Sequence, residues 1–77
     1  MWQRELKQKK AALAMNIKAI RLKSGFAQEK LALEAGVDRT LVSKIERQIA
    51  NPTLEILVKL SLTLKVPITS LLSDPKG

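Results

Sequence analysis

Between Leu6 and Lys23 the apolar residues Leu6, Leu13, Ile17 and Ile20 recur at helical spacing, and Gly25 follows where a C-terminal stop belongs. Trp2 lies four residues before Leu6 on the same stripe. The first helix therefore starts either at Trp2 or after a frayed basic arm. A second, short helix is predicted from Gln28 to Ala35, with Leu31, Ala32 and Ala35 inward and Gly36 closing it. Asp38 offers a cap to a third helix over Arg39 to Gln48, whose Leu41, Val42 and Ile45 form the apolar side. Thr53, after Pro52, caps a fourth helix reaching Leu64, and Pro67 introduces a last one over Thr69 to Leu72. No alternating strand pattern occurs anywhere, so the expected fold is all-α, a compact five-helix bundle.

The pattern fits one domain over residues 1–77, with residues 1–10 as a basic extension of it. A 77-residue chain buries only about 60 % of the surface it exposes when unfolded, so a second copy of the chain would help complete the core. Without Cys or His, disulfides, thiolate metal sites and histidine catalysis are excluded. No metal or cofactor is expected. The acids Glu29, Glu34, Asp38, Glu46 and Glu55 form no paired site, which argues against an enzyme. No apolar run approaches the roughly 20 residues of a membrane span, and "AALAM" is too short for a signal-peptide core, so a cytoplasmic protein is expected.

Charge adds the next step. The net charge is +7, and residues 1–27 alone hold seven basic residues against one acid. Such an excess favours a polyanionic partner, although isolated surface Lys and Arg also serve solubility.

On the third helix, at about 100° per residue, Arg39, Thr40, Ser43, Lys44 and Arg47 fall on one arc opposite Leu41, Val42 and Ile45. Hydroxyls, guanidinium groups and an ammonium group share that arc, and Glu46 lies outside it. This set of groups suits the major groove of DNA: Arg bonds guanine O6 and N7 with both arms, and Thr meets a polar edge or a thymine methyl. Residues at the start of such a helix reach deepest, which puts Arg39 and Thr40 nearest the bases and Arg47 nearer phosphate.

Ala32, Gly36, Val42 and Ile45 stand four, eight, fourteen and seventeen places after Gln28. A small residue permits close helix approach, a Gly permits a left-handed turn, and the aliphatics lock the third helix on the second. In this register Leu13 to Leu72 resembles the helix-turn-helix family of phage lambda repressor and Cro, with "GVDRTLVSKIER" most similar to controller proteins of restriction–modification systems. The resemblance implies that the helix-turn-helix is formed by the second and third helices. It further implies that Gln28 contacts phosphate and braces the third helix, that Arg39, Thr40, Ser43 and Lys44 face an operator, and that Arg47 and Asn51 touch the DNA backbone. Arg21 and Glu46 match a structural ion pair. Three positions depart from the family pattern: Ala27 replaces an N-capping Ser or Thr, Gln48 replaces a terminal Gly, and Leu41 stands where controllers often carry an aromatic residue.

Each assignment has a plainer alternative. Arg39 and Thr40 could be solvated first-turn residues, Gln28 an ordinary helix start, and Arg47 and Asn51 a helix-end charge and a loop amide. The run Arg4 to Lys10 reads as electrostatic steering and solubility in preference to a DNA-gripping arm. On the fourth helix only Glu55, Lys59 and Thr63 make a continuous polar stripe, so its apolar surplus needs covering. A homodimer interface is expected there and beyond, at Ile56, Leu60, Leu62, Ile68, Leu71 and Leu72, the alternative being the central helix of a monomer. The whole reads as a homodimeric, bacterial or phage-encoded transcriptional regulator on a near-palindromic double-stranded DNA operator, with RNA polymerase as a further partner and no room for a small-molecule ligand domain. An antitoxin-like module that holds a protein and also binds DNA is the reading from another class.

Overall fold

The computed structural model describes residues 1–75, and the last two positions of the expected domain lie outside the described residues. Five helices follow in order: α1 (Trp2–Lys23), α2 (Gln28–Ala35), α3 (Leu41–Glu46), α4 (Leu54–Leu64) and α5 (Thr69–Leu72). No strand occurs among the described residues, and none of their helices is long and apolar enough to cross a membrane. At a rise of about 1.5 Å per residue α1 spans ~33 Å, and it sets the 35 Å long dimension of the molecule. Its start at Trp2 resolves the first alternative in favour of a continuous helix, of which the basic extension is the first part.

One cluster forms the core. Leu13 and Ile17 of α1, Leu31 and Ala32 of α2, Val42 and Ile45 of α3, Leu57, Leu60 and Leu64 of α4 and Leu71 of α5 meet in it. The packed pairs are α1 with α3 and α5, and α2 with α3 and α4. Asn16 ties α5 to α1, its Nδ2 donating to the carbonyls of Leu71 at 3.0 Å and Ser73 at 2.8 Å.

The ends of α1 to α4 share one device. After each helix a left-handed residue turns the chain back: Gly25, Gly36, Gln48 and Lys65. The following N–H then reaches a carbonyl five residues earlier, as Val37 N–H does to Ala32 and Ile49 N–H to Lys44, both at 3.0 Å. Gly25 and Gly36 adopt this conformation freely. Gln48 (φ 63°) and Lys65 (φ 59°) hold it against their own Cβ, at roughly 1–2 kcal/mol each.

At the helix starts the sequence expectations meet mixed outcomes. Thr53 caps α4, its Oγ1 accepting from Ile56 N–H at 3.2 Å. Ala27 leaves α2 without a side-chain cap, in extended backbone suited to one (φ −73°, ψ 158°). Ala27→Ser should therefore raise stability by about 0.5–2 kcal/mol, read as a higher urea midpoint at unchanged slope. An unchanged midpoint would show that water already satisfies those amides.

Two corrections follow. Helix α3 covers Leu41–Glu46, shorter than the expected Arg39 to Gln48. Asp38 holds Arg39 and Thr40 in a turn, its carbonyl taking Leu41 N–H at 3.0 Å, and the left-handed Gln48 ends the helix beyond Arg47. The second concerns the expected interface. Leu60 and Leu71 are wholly buried inside their own chain, because the one small core reaches them first, so they offer a partner no surface. Ile56, Ile68 and Leu72 are half-buried, and Leu62 is 72 % exposed.

Candidate nucleic-acid interface

The α2–turn–α3 unit is positioned from behind by a buried ionic lock. Arg21 on α1 donates through Nε to Glu46 Oε2 at 2.7 Å and through a terminal nitrogen to Oε1 at 3.0 Å, a two-armed pair with both side chains less than a tenth exposed. The remaining arm of Arg21 donates to the Phe26 carbonyl at 2.8 Å. Gln28 Nε2 donates to Glu46 Oε1 at 3.0 Å. Three helices thus converge on one carboxylate, and the expected bracing role of Gln28 is seen directly. The Arg21–Glu46 pair is structural, as the resemblance implied.

In front of this lock lies the polar arc. Val42 and Ile45 point into the core, and Leu41 is half-buried against it. Lys44 and Arg47 are exposed on the other side with Ser43 half-buried beside them, and Arg47 Nε leans on the Ser43 carbonyl at 3.4 Å. Arg39 and Thr40 continue the arc from the turn that precedes α3, both exposed, and Asn51 is exposed in the segment between α3 and α4. The predicted residues are brought together as a cationic ridge, except that Gln28 turns inward to Glu46 and Asn51 stands on a separate loop.

Two acids near the ridge carry organisation that the helical wheel did not reveal. Asp38 Oδ2 accepts from Thr40 N–H at 3.1 Å and from the Thr40 hydroxyl at 2.5 Å. These bonds, the hydroxyl's first, hold the Asp38 carboxyl below the ordinary carboxylate range, with Lys44 and Arg39 adding to the effect. The spacing of a turn-forming Asp two residues before a Thr was the available signal. Glu29 on α2 approaches Arg39 Nε at 3.7 Å. Both groups are largely exposed, so the pair orients the guanidinium more than it stabilises the fold. No sequence spacing marks that contact, because it crosses between elements.

No group of three or more potential metal-ligating side chains occurs among the described residues. Most of the exposed groups of the arrangement, the Arg39 and Arg47 guanidinium groups and the Lys44 ammonium group, are hydrogen-bond donors, which suits recognition of acceptors.

A short helix braced behind a second one, joined by a left-handed Gly36 and showing a donor-rich face, defines a helix-turn-helix protein. Residues 17–71 match the helix-turn-helix family model, and the chain belongs to that family. It is 39 % identical over 67 residues to a hypothetical transcription factor of Neisseria meningitidis, covering 87 % of this chain and 63 % of that protein. The chain thus spans just under two thirds of that relative's length. The crystal structure of the Neisseria factor superposes with a TM-score of 0.85 at 38 % identity, over 88 % of this chain and 78 % of the other. The restriction-modification controller protein C.AhdI of Aeromonas hydrophila superposes with a TM-score of 0.77 at 29 % identity, over 80 % of this chain and 94 % of that one. The relatives are transcriptional regulators and not enzymes, and the likeness to restriction–modification controllers expected from "GVDRTLVSKIER" is found in the structure comparison.

Proposed function

We propose that the chain is a sequence-specific transcriptional regulator that binds a near-palindromic double-stranded DNA operator as a homodimer, in the manner of a restriction–modification controller. The observation that carries this reading is the donor-rich ridge of Arg39, Thr40, Ser43, Lys44 and Arg47, formed by α3 and the residues that flank it and fixed to the rest of the fold by the Arg21–Glu46–Gln28 lock. Arg39 and Thr40 read base edges from the turn that leads into α3, Ser43 and Lys44 line the groove wall, and Arg47 and Asn51 meet phosphate. Gln28 contacts phosphate from the start of α2 while its side chain braces Glu46. The basic first half of α1 steers the molecule to the polyanion and raises its affinity in a salt-dependent way.

Dimerisation is supported by an uncovered apolar stripe. Leu54, Val58 and Leu62 stand one helical turn apart on α4 and are 70 %, 41 % and 72 % exposed, and Ile56, Ile68 and Leu72 supply half-covered apolar surface beyond the core. A two-fold pair burying such a stripe presents two α3 helices to successive major grooves about one DNA turn, ~34 Å, apart. Leu62→Glu should convert a dimer to a monomer in sedimentation velocity at micromolar concentration and lower operator affinity at least about tenfold, since a buried unpaired carboxylate is incompatible with an apolar interface. Unchanged sedimentation would place the two-fold elsewhere.

The function itself is tested by selecting duplexes from a randomised pool at ~150 mM salt, where non-specific electrostatic binding is weakened. Enrichment of an inverted repeat with half-site centres one turn apart is expected. Folded protein that enriches no sequence, yet co-purifies stoichiometrically with a second protein seated on the α4 stripe, would instead favour the antitoxin-like role. RNA polymerase as a further partner is tested separately, by transcription in vitro from the selected operator.

A further inference from the structure

An exposed hydroxyl is ordinarily free to present either polarity to a base edge, but Thr40 has lost that freedom. A hydroxyl carries one hydrogen and two acceptor lone pairs. An ionised carboxylate is acceptor-only, so the hydrogen in the Thr40–Asp38 contact comes from threonine. The 2.5 Å separation is that of a charge-assisted O–H···O⁻ bond, and Thr40 N–H binds the same oxygen at 3.1 Å. A second bond to the same carboxylate oxygen fixes the geometry, and Asp38 is itself part of the turn, its carbonyl accepting from Leu41 N–H. What remains on the exposed side of Thr40 is acceptor capacity and a methyl group.

We propose that Asp38 sets the base preference of Thr40 by consuming its only donor, so that Thr40 selects a base offering an amine hydrogen or a methyl group and rejects guanine. This rests on the proposed DNA-binding role of α3 and specifies the chemistry of one operator position within it. Guanine shows the major groove only the acceptors N7 and O6, which would face a hydroxyl that has no hydrogen to give. Adenine and cytosine offer amine hydrogens, and thymine offers its C5 methyl. Beside it Arg39 has the opposite polarity: its guanidinium holds only donors and suits guanine. The neighbouring pair Arg39–Thr40 therefore reads two positions of opposite character, and Asp38 is the positioning residue that separates them.

The test is duplex selection, followed by affinity measurement on single-base variants of the selected site, for the wild type and four substitutions. Each variant is first shown to keep the wild-type helical circular dichroism. Thr40→Ala identifies the base position whose preference relaxes. At that position the wild type is expected to penalise guanine by roughly tenfold or more relative to the preferred base. Asp38→Ala returns the hydroxyl hydrogen to Thr40 and should reduce the guanine penalty at that position alone, while preferences elsewhere persist. A preference retained by Thr40→Val assigns the methyl as the group read, and one retained by Thr40→Ser assigns the acceptor. If Asp38→Ala does not fold, the identity of the base at the position relaxed by Thr40→Ala decides. Guanine preferred at that position, no position relaxed by Thr40→Ala, or a guanine penalty unchanged in folded Asp38→Ala would each overturn the proposal while leaving DNA recognition intact. Failure of the wild type to enrich any sequence would overturn the DNA-binding reading and this proposal with it.

Discussion

Glu46→Ala is expected to cost about 3–5 kcal/mol of folding stability. The carboxylate accepts two bonds from Arg21 and one from Gln28, and removing it leaves a guanidinium less than a tenth exposed with only the Phe26 carbonyl as a partner. An uncompensated buried charge, more than the lost pairing itself, carries the penalty. Small domains hold only about 5–15 kcal/mol in total, so the substitution should leave a measurable unfolded fraction near physiological temperature. Calorimetry or urea titration reads it. The double substitution Arg21→Met with Glu46→Leu should recover most of the loss, because a buried ion pair replaced on both sides by apolar groups is often neutral. If Glu46→Ala alone lowers stability by less than about 1 kcal/mol, water reaches Arg21 and the lock is not what holds α3 in place.

Arg39→Ala should behave in the opposite way. Arg39 is 80 % exposed in its side chain, and its contact with Glu29 at 3.7 Å is a surface pair, so the thermal midpoint should hardly move. Operator binding should fall by about 1–3 kcal/mol, and the preference for one base, expected to be guanine, should relax at a single position. Affinity for unrelated duplexes at low salt should change little, because it rests on the total phosphate contacts. An equal loss on all sequences would make Arg39 a phosphate ligand. The two substitutions together separate the frame that holds α3 from the surface that reads: one removes stability and takes binding with it, the other removes discrimination and leaves the fold.

Much of the frame was legible because its rules are local. Gly25 and Gly36 mark left-handed helix ends, Thr53 marks the start of α4, and the i, i+4 recurrence of aliphatics marks α1 and α4. Lys65 shows where local reading stops. Nothing in its chemistry favours φ 59°, and the packing of Leu64 and Leu71 in one core forces the turn between them. The same limit applies at Arg39 and Thr40. Periodicity continued the helix through them, whereas the Asp38 side chain bonds Thr40 and the Asp38 carbonyl takes Leu41 N–H in a turn that spans both.

The expected interface divides along the same line. Leu60 and Leu62 are both leucines on one helix, and composition does not distinguish them, yet one is wholly buried and the other 72 % exposed. Sequence by itself determined the presence and order of five helices, the glycine stops of α1 and α2, the apolar side of α1 to α3 and the cationic arc along α3, because those follow from the helical period and from backbone chemistry within a few residues. Tertiary structure alone decided which apolar residues the single core took up, which acid met Arg39, and that the Thr40 hydrogen is spent on Asp38. Those outcomes depend on distances between elements and on the direction of individual bonds, and no one-dimensional spacing encodes either.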